Sequence, residues 1–163
     1  MNLNIRLFRD EDLDAIVELS LLAWEPVFHS LEQVLGHDIF VLLQPDWRAG
    51  QAKGVASTCR DRETYTTLVA EVDGVVAGFL AYKLKREQKI GEVDLLAVHP
   101  DYQNRGVGTA LTNAALDQIR ESGMKLAIVE PGGDPGHAPA RRAYEKAGYT
   151  LLPIARYFKD LTT

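Results

Sequence analysis

A short polar loop that leads into a helix-like stretch carries the strongest chemical signal in this sequence. Glycines at a helix start let a ligand approach the backbone closely, and the free amides and the helix dipole there favour negative charge. Arg105 adds a fixed cation with a planar set of donors. The spacing predicts a cradle for a pyrophosphate, although a turn that only caps the helix would show the same spacing of glycines. The loop reads Gln103-Asn104-Arg105-Gly106-Val107-Gly108-Thr109.

The elements that position this loop follow from the spacing of apolar residues. Asp10 is a candidate N-cap, Pro26 should end or kink the first helix, and Asp73-Gly74 is a strong hairpin signal. Strands are predicted over 4–8, 66–72, 75–84, 92–98, 126–129, 149–152 and 155–158. Helices are predicted from Asp10 to Pro26 and over 27–37, 107–119 and 138–147, with another starting at Pro45 as an option. This order predicts an α/β fold with a mixed sheet and helices on both faces.

Two motifs stand on either side of the strand predicted over 126–129. The first is Gln103-x-x-Gly106-x-Gly108, just after Val98-His99-Pro100. The second is Ala143-Tyr144-Glu145-Lys146-Ala147-Gly148-Tyr149. They resemble the acyl-CoA-binding motif and the Phe-Tyr-Glu-Lys-x-Gly-Phe segment of the GNAT N-acetyltransferase superfamily. The resemblance covers residues 66–160 well.

The length of the chain predicts one domain over 1–163, and the resemblance divides it into acceptor-side helices in 1–63 and an acyl-CoA-binding core in 64–163. It implies a mostly antiparallel sheet of six to seven strands, in which the fourth and fifth strands splay apart. Dimers are common in the family, so a homodimer through the last strands is an option.

The resemblance also implies acetyl-CoA as co-substrate and indicates which residues bind it. The loop amides would hold the pyrophosphate, and the strand end would pair with the pantetheine arm. His137 stands where many relatives carry an asparagine that contacts this arm, and it could instead act as an acid or base or cap the last helix. The implied binding residues are Leu96, Ala97, Val98, Gln103, Asn104, Arg105, Gly106, Val107, Gly108, Thr109 and His137.

Three residues are implied to act in the transfer itself. Tyr144 takes the position of the tyrosine that protonates the departing CoA thiolate, with core packing as the alternative. Glu92 and Asp94 are two apart on one strand and so share a face, with Val93, Leu95 and Ala97 facing the other way. Either carboxylate could act as the base or bind the acceptor amine, unless a water chain does so or both are a solvated strand end.

Other residue types give weaker signals. Cys59 reads as a structural or surface thiol, and the histidines lack metal-ligand spacing, so no metal site is predicted. Arg141 and Arg142 could reach the CoA phosphates, although a solvated helix face suits them better. Core packing is the favoured reading for Trp24, Phe28 and Trp47.

Composition excludes several classes of protein. The chain has 163 residues, of which 46% are hydrophobic and 25% charged, as in an ordinary globular protein. The net charge of −5 argues against binding nucleic acid and mildly favours a cationic partner. One cysteine excludes an intrachain disulfide. Since no leader or membrane-spanning run is recognised, a cytoplasmic location is expected.

The function that combines these signals is an N-acetyltransferase that uses acetyl-CoA and a primary amine of a small molecule or peptide. An acyl-CoA sensor on the same fold, without catalysis, is the main alternative. A binder of ATP or a dinucleotide is a third, but no lysine follows Gly108 and a third glycine is missing.

Overall fold

One five-stranded sheet forms the centre of the computed structural model, which describes all 163 residues. The sheet lies in chain order, with the first four strands antiparallel and the fifth parallel to the fourth. The prediction of a mixed, mostly antiparallel sheet is therefore confirmed. The strands are β1 (Leu3–Leu7), β2 (Tyr65–Val72), β3 (Val75–Lys85), β4 (Ile90–Val98) and β5 (Leu126–Val129).

Five α-helices surround this sheet, and the chain also has three short 3-10 turns. The helices are α1 (Leu13–Leu35), α2 (His37–Leu43), α3 (Trp47–Arg60), α4 (Val107–Glu121) and α5 (Ala138–Lys146). The 3-10 turns are Asp10–Asp12, Pro100–Tyr102 and Pro135–His137. None of the helices is both long enough and apolar enough to cross a lipid bilayer.

The helices pack on both faces of the sheet, as predicted. On one face α4 places Val107, Leu111 and Ile119 against Leu80 and Val93. The opposite face is covered by α1 and α3, whose buried residues meet Val69, Phe79 and Ala97. Two apolar cores therefore lie back to back, and β3 and β4 contribute to both.

The start of the chain differs from the sequence prediction in two places. Asp10 opens a 3-10 turn instead of capping the first helix, which starts at Leu13. Pro26 neither ends that helix nor separates it from a second one over 27–37, because α1 continues to Leu35. Leu22 and Pro26 are both exposed, so solvent can reach the carbonyl that a proline leaves without its amide partner.

A buried ion cluster fixes the start of α1 to the sheet. The Arg6 guanidinium donates to both carboxylate oxygens of Asp12 at 2.8 Å, and to Glu71 of β2. Burial alone would raise the pKa of Asp12, but the hydrogen bonds from Arg6 and from the Arg9 amide lower it overall. These contacts tie the turn before α1 to β1 and β2.

The end of the chain departs most from the prediction. The strands expected over 149–152 and 155–158 are absent, so the sheet has five strands instead of six to seven. Alternating apolar residues form a strand only where their backbone groups meet a neighbouring strand, and this segment meets none. Leu152 and Tyr157 are 75% and 91% exposed. The homodimer that those strands were expected to form stays a prediction.

Candidate active site

β4 carries one extra residue at Asp94. Ala81 of β3 pairs with Leu95 and the next residue, Tyr82, pairs with Val93, so Asp94 has no partner opposite it. Val93 consequently packs in the core beneath α4, whereas Leu95 packs in the core beneath α1. The expectation that Val93, Leu95 and Ala97 share one face is therefore wrong, because a β-bulge interrupts the alternation.

The bulge coincides with the end of the pairing between β4 and β5. β5 pairs with β4 from Ile90 to Val93 and no further. A bulge bends the strand that carries it, and from Asp94 to Val98 β4 has no strand on this side. Leu96, Ala97 and Val98 therefore have no strand neighbour on this side of β4, which leaves their backbone edge open, and the splay between the fourth and fifth strands stays a prediction.

The loop between β4 and α4 presents a row of free amides next to this open edge. None of the backbone amides of residues 104–109 donates a hydrogen bond within the protein. Asn104 and Gly106 take left-handed conformations, with φ of 60° and 83°. The Gln103 side chain donates to the Val98 carbonyl at 3.0 Å, which ties the loop to the strand end. The arrangement can hold a multiply charged anion at the start of α4.

The two glycines of this loop have different requirements. Gly106 adopts a backbone conformation that residues with a Cβ rarely take. Gly108 has ordinary helical geometry, and a Cβ there would lie 3.6 Å from the Val98 side chain, an ordinary contact. The fold therefore does not need glycine at 108, whereas a ligand that approaches the amides closely would.

Tyr144 lies on α5 and is only 8% exposed. Its ring meets that of Tyr149 edge to face, at 5.6 Å between centroids. Burial, with a smaller contribution from Tyr149, raises the pKa of Tyr144, and the hydroxyl has no hydrogen-bond partner in the chain. The hydroxyl is therefore free to donate to a ligand, because no group of the chain accepts from it.

Glu92 and Asp94 lie on the α1 side of the sheet and are both ion-paired. Asp94 accepts from Lys83 at 3.0 Å and from the Tyr65 hydroxyl at 2.8 Å. Glu92 pairs with Lys85 at 2.6 Å and lies 3.8 Å from Lys83. The two carboxylates are close together, as their spacing predicts, but two ammonium groups balance their charge.

His137 ends the loop that follows β5, and its Nδ1 is hydrogen-bonded to Oδ1 of Asp134. The other oxygen of Asp134 accepts from the Ser30 hydroxyl of α1 at 2.8 Å and from the Gly136 amide at 3.0 Å. Burial alone would raise the pKa of Asp134, but these bonds, that from His137 first, lower it overall. We call Ser30, Asp134 and His137 the Asp134 cluster.

Three other side chains lie elsewhere than predicted, whereas the burial of Cys59 agrees with its prediction. Arg141 neither faces solvent nor reaches towards a phosphate site, because it donates to the carbonyls of Gly132 and Asp134. Phe28 and Trp47 stack on each other at 4.5 Å instead of entering either core. Cys59 is buried, and this burial raises its pKa to about 11. A structural thiol was expected there.

Helix α1 contacts three parts of the candidate site. They are β4, the 3-10 turn Pro100–Tyr102 and the 3-10 turn Pro135–His137. α1 therefore packs both on the strand that carries the open edge and on the turn that carries His137. Sequence reasoning missed Ser30, Asp134 and the two lysines; an aspartate three positions before a histidine at a helix start was the available signal for the cluster.

A strand edge without a neighbour, next to a row of free amides, defines a site for an extended anionic ligand on an α/β fold. The sequence model of the acetyltransferase (GNAT) family matches residues 24–149. The chain therefore belongs to the GNAT acetyltransferase family, and the resemblance noted in its motifs is confirmed.

Individual relatives agree with this membership. The mycothiol acetyltransferase of Sanguibacter keddieii is 39% identical over 92 residues, which are 53% of this chain and 29% of that protein. The chain thus spans less than a third of the length of this relative.

Two solved structures share the fold. The PaiA N-acetyltransferase of Thermoplasma acidophilum, in complex with coenzyme A, has a TM-score of 0.75 at 16% identity, covering 95% of this chain and 94% of that one. The ribosomal-protein-S18-alanine N-acetyltransferase of Escherichia coli has a TM-score of 0.70 at 21% identity, covering 99% and 86%.

Proposed function

We propose that this protein is an N-acetyltransferase that moves the acetyl group of acetyl-CoA to a primary amine of a small molecule or peptide. The amine attacks directly in a ternary complex. The observation that carries the proposal is the row of free amides at 104–109 beside the open edge of β4. Membership in the GNAT family supports the same reaction, as does a neighbour of the same fold that was solved with coenzyme A.

The residues present fit acetyl-CoA, which supplies an activated thioester when bound. The amides of 104–109, with Arg105 beside them, would hold the pyrophosphate, and the absence of a side chain at Gly108 leaves room for it. The backbone of 96–98 would complete its pairing with the amides of the pantetheine arm, since unpaired backbone groups in a closed site are costly. In this division of labour residues 64–163 bind acyl-CoA, and the helices of 1–63 cover the acceptor.

Tyr144 is proposed as the general acid. Its hydroxyl gives a proton to the departing thiolate, which lowers the cost of the charge that develops on sulfur. The structure supports this role because the hydroxyl has no hydrogen-bond partner within the chain that would compete for its proton.

Glu92 and Asp94 are proposed to form the wall that attracts the acceptor. A primary amine is largely ammonium at neutral pH, and carboxylates draw it towards the site. Lys83 and Lys85 are ion-paired with these carboxylates, so an incoming ammonium has to displace a lysine to pair with them. This competition favours acceptors with more than one cationic group, such as a polyamine, an aminoglycoside or a basic peptide.

Thermal denaturation with acetyl-CoA, CoA, ATP and NADH tests the first half of the proposal. A ligand at about 100 times its Kd stabilises the folded state by about 2.7 kcal/mol, which a melting curve resolves. We expect a rise in Tm with the CoA species only. A larger shift with ATP or NADH would contradict the assignment of the loop.

Release of free thiol from acetyl-CoA then tests catalysis. The acceptors are spermidine, kanamycin, glucosamine and a tripeptide with a free alanine amino terminus. We expect thiol release that depends on at least one amine. CoA binding without thiol release from any of the four would instead indicate a binding module on this fold.

A further inference from the structure

The centre of the Asp134 cluster is a buried carboxylate. Both of its oxygens are hydrogen-bonded, one of them to an imidazole nitrogen. Asp134 is 9% exposed, and both of its oxygens are occupied, one by His137 Nδ1 and the other by Ser30 and the Gly136 amide. A carboxylate partner at Nδ1 fixes the proton there and leaves Nε2 with its lone pair. His137 keeps a quarter of its side chain exposed, and its Nε2 has no partner within the protein.

The surrounding loop is shaped to admit this cluster. A Cβ at Gly132 would lie 2.5 Å from Oδ1 of Asp134 and 2.8 Å from Nδ1 of His137. A Cβ at Gly136 would lie 2.7 Å from the Ser30 side chain on α1. Arg141 fastens the loop by donating to the carbonyls of Gly132 and Asp134. Such an arrangement holds an imidazole in one orientation more firmly than capping a helix requires.

His137 precedes the proposed acid on the same helix. It stands at the N-cap of α5, and Tyr144 follows two turns later, roughly 10 Å along the axis. The 3-10 turn that ends in His137 packs on α1, the helix that also contacts β4. His137 is therefore connected to Tyr144 through α5 and to the strand with the open edge through α1.

We propose that His137 is the general base that takes the proton from the acceptor ammonium, and that Asp134 and Ser30 are its positioning residues. The inference rests on the proposed acetyl transfer. It assigns the proton to Nε2 of His137, with the resulting imidazolium stabilised by the carboxylate of Asp134. Because Ser30 lies on α1, the orientation of the base then also depends on the placement of that helix.

The proton and electron balance closes with the groups present. Nε2 of His137 takes one proton, and the nitrogen lone pair thus freed attacks the thioester carbon. The C–S bond breaks, its electron pair leaves on sulfur, and the Tyr144 hydroxyl protonates that sulfur. The second amine proton returns through solvent to Tyr144, and His137 releases its proton to solvent. One ammonium and one thioester give one amide, one thiol and one proton.

The charged groups around His137 are few. Asp134 is on its own loop, and Arg141 lies one turn along α5 with its donors directed at backbone carbonyls. From α1 the neutral Ser30 faces the cluster, while the nearby His29 and Glu32 are bonded to Gln33 and His37 on other sides of the helix. Glu92 and Asp94, the other candidates for the base, each have a lysine partner that would have to leave first.

The test compares His137→Gln with the wild type in the thiol-release assay across pH 6 to 10. Glutamine keeps a hydrogen-bonding side chain of similar reach but cannot take up a proton. We expect kcat/KM for the amine to fall about 100-fold or more near pH 7. Without a base only the free-amine fraction reacts. At pH values where the wild-type kcat/KM has levelled off, the ratio between wild type and variant should therefore shrink by about tenfold per pH unit. His37→Gln, at an exposed histidine on α2, is the matched control.

Asp134→Asn separates positioning from packing. Asparagine keeps the size of the side chain but not its charge, so the imidazolium loses its partner and the rising limb of the pH profile should move to lower pH, with a reduced plateau. A purely structural role would lower the melting temperature and leave that limb where it was. Melting curves with and without acetyl-CoA for each variant report on folding and cofactor binding independently of turnover.

Three results would overturn the inference. If His137→Gln keeps kcat/KM within about threefold of the wild type with the same pH profile, His137 is not the base. If it weakens acetyl-CoA binding while kcat and its pH profile stay unchanged, His137 is a cofactor contact. If Glu92→Gln removes the pH-dependent limb instead, the base is Glu92. A wild-type protein that neither binds acetyl-CoA nor releases thiol would contradict the proposed function itself, which the first three results leave intact.

Discussion

Replacing Tyr144 with phenylalanine should separate catalysis from stability almost completely. The substitution removes one oxygen and leaves the buried ring and its edge-to-face contact with Tyr149 in place. A typical intramolecular hydrogen bond contributes about 1 kcal/mol to stability, but this hydroxyl makes none within the chain. The free energy of unfolding should therefore change by less than about 1 kcal/mol.

The effect on turnover should be much larger. A positioned general acid contributes roughly 100- to 10,000-fold to a rate, which corresponds to about 2.7–5.5 kcal/mol of transition-state stabilisation. Because the proton of Tyr144 is needed only as the thiolate departs, kcat should fall at least about 100-fold while KM for acetyl-CoA stays nearly constant. Steady-state thiol release with varied acetyl-CoA and a saturating amine measures both constants.

Tyr149→Phe provides the matched control. Tyr149 lies beside Tyr144, and its hydroxyl is also buried without a partner, so its removal should be neutral or slightly stabilising and leave kcat unchanged. If Tyr144→Phe and Tyr149→Phe both retain kcat within about threefold of the wild type, Tyr144 is a packing residue and the assignment of the acid is wrong.

Three further predictions concern the cofactor loop, the ion cluster and the thiol. Gly108→Ala should weaken acetyl-CoA binding in a thermal shift without lowering the Tm of the free protein. Gly54→Ala in α3, where an added Cβ would meet nothing within 4 Å, should instead raise that Tm and leave acetyl-CoA binding unchanged. Asp12→Asn should cost about 3 kcal/mol in urea unfolding at pH 7, since it leaves the Arg6 guanidinium partly unpaired. Because the pKa of Asp12 is lowered on folding, this contribution is present above the ordinary carboxyl pKa and is lost as the pH falls through the lowered value, so mutant and wild type should converge in acid. Cys59 should not react with a thiol reagent at pH 8 until the protein is unfolded, because it is 1% exposed with a pKa of about 11; rapid labelling would show that its burial is wrong.

The amide loop was predictable because its physics is local. A few neighbouring residues encode three of its features: the positive φ at Gly106, the helix start directly after it and the apolar face of that helix. The hairpin at Asp73-Gly74 is equally local, and both of its residues have positive φ. Family motifs are recognisable for the same reason: they record short stretches whose backbone conformation is set by their own residue types.

The Asp134 cluster was not predictable in this way. Ser30 and Asp134 are far apart in the sequence and meet only because α1 continues through Pro26 to pass the loop after β5. The proline signal argued for a break at that point. Whether a proline ends a helix depends on where the freed carbonyl points, and this depends on which side of α1 faces solvent. Tertiary packing decides that side.

The bulge at Asp94 marks the point in β4 where the alternation in the sequence stops predicting which face of the sheet a side chain occupies. Alternation correctly places Glu92 and Asp94 near one another, since both reach Lys83. It fails at the next apolar residue, because an inserted residue moves Leu95 to the other face. The same residue marks the last pairing of β4 with β5. The bulge therefore coincides with two features of the site: the end of the pairing between β4 and β5, and a carboxylate on the α1 side where the open edge begins. Since Asp94 is the unpaired residue of the bulge, deleting it should straighten β4 beside the amide loop and weaken acetyl-CoA binding in a thermal shift. A deletion variant that binds acetyl-CoA as well as the wild type would show that the bulge does not shape the binding site.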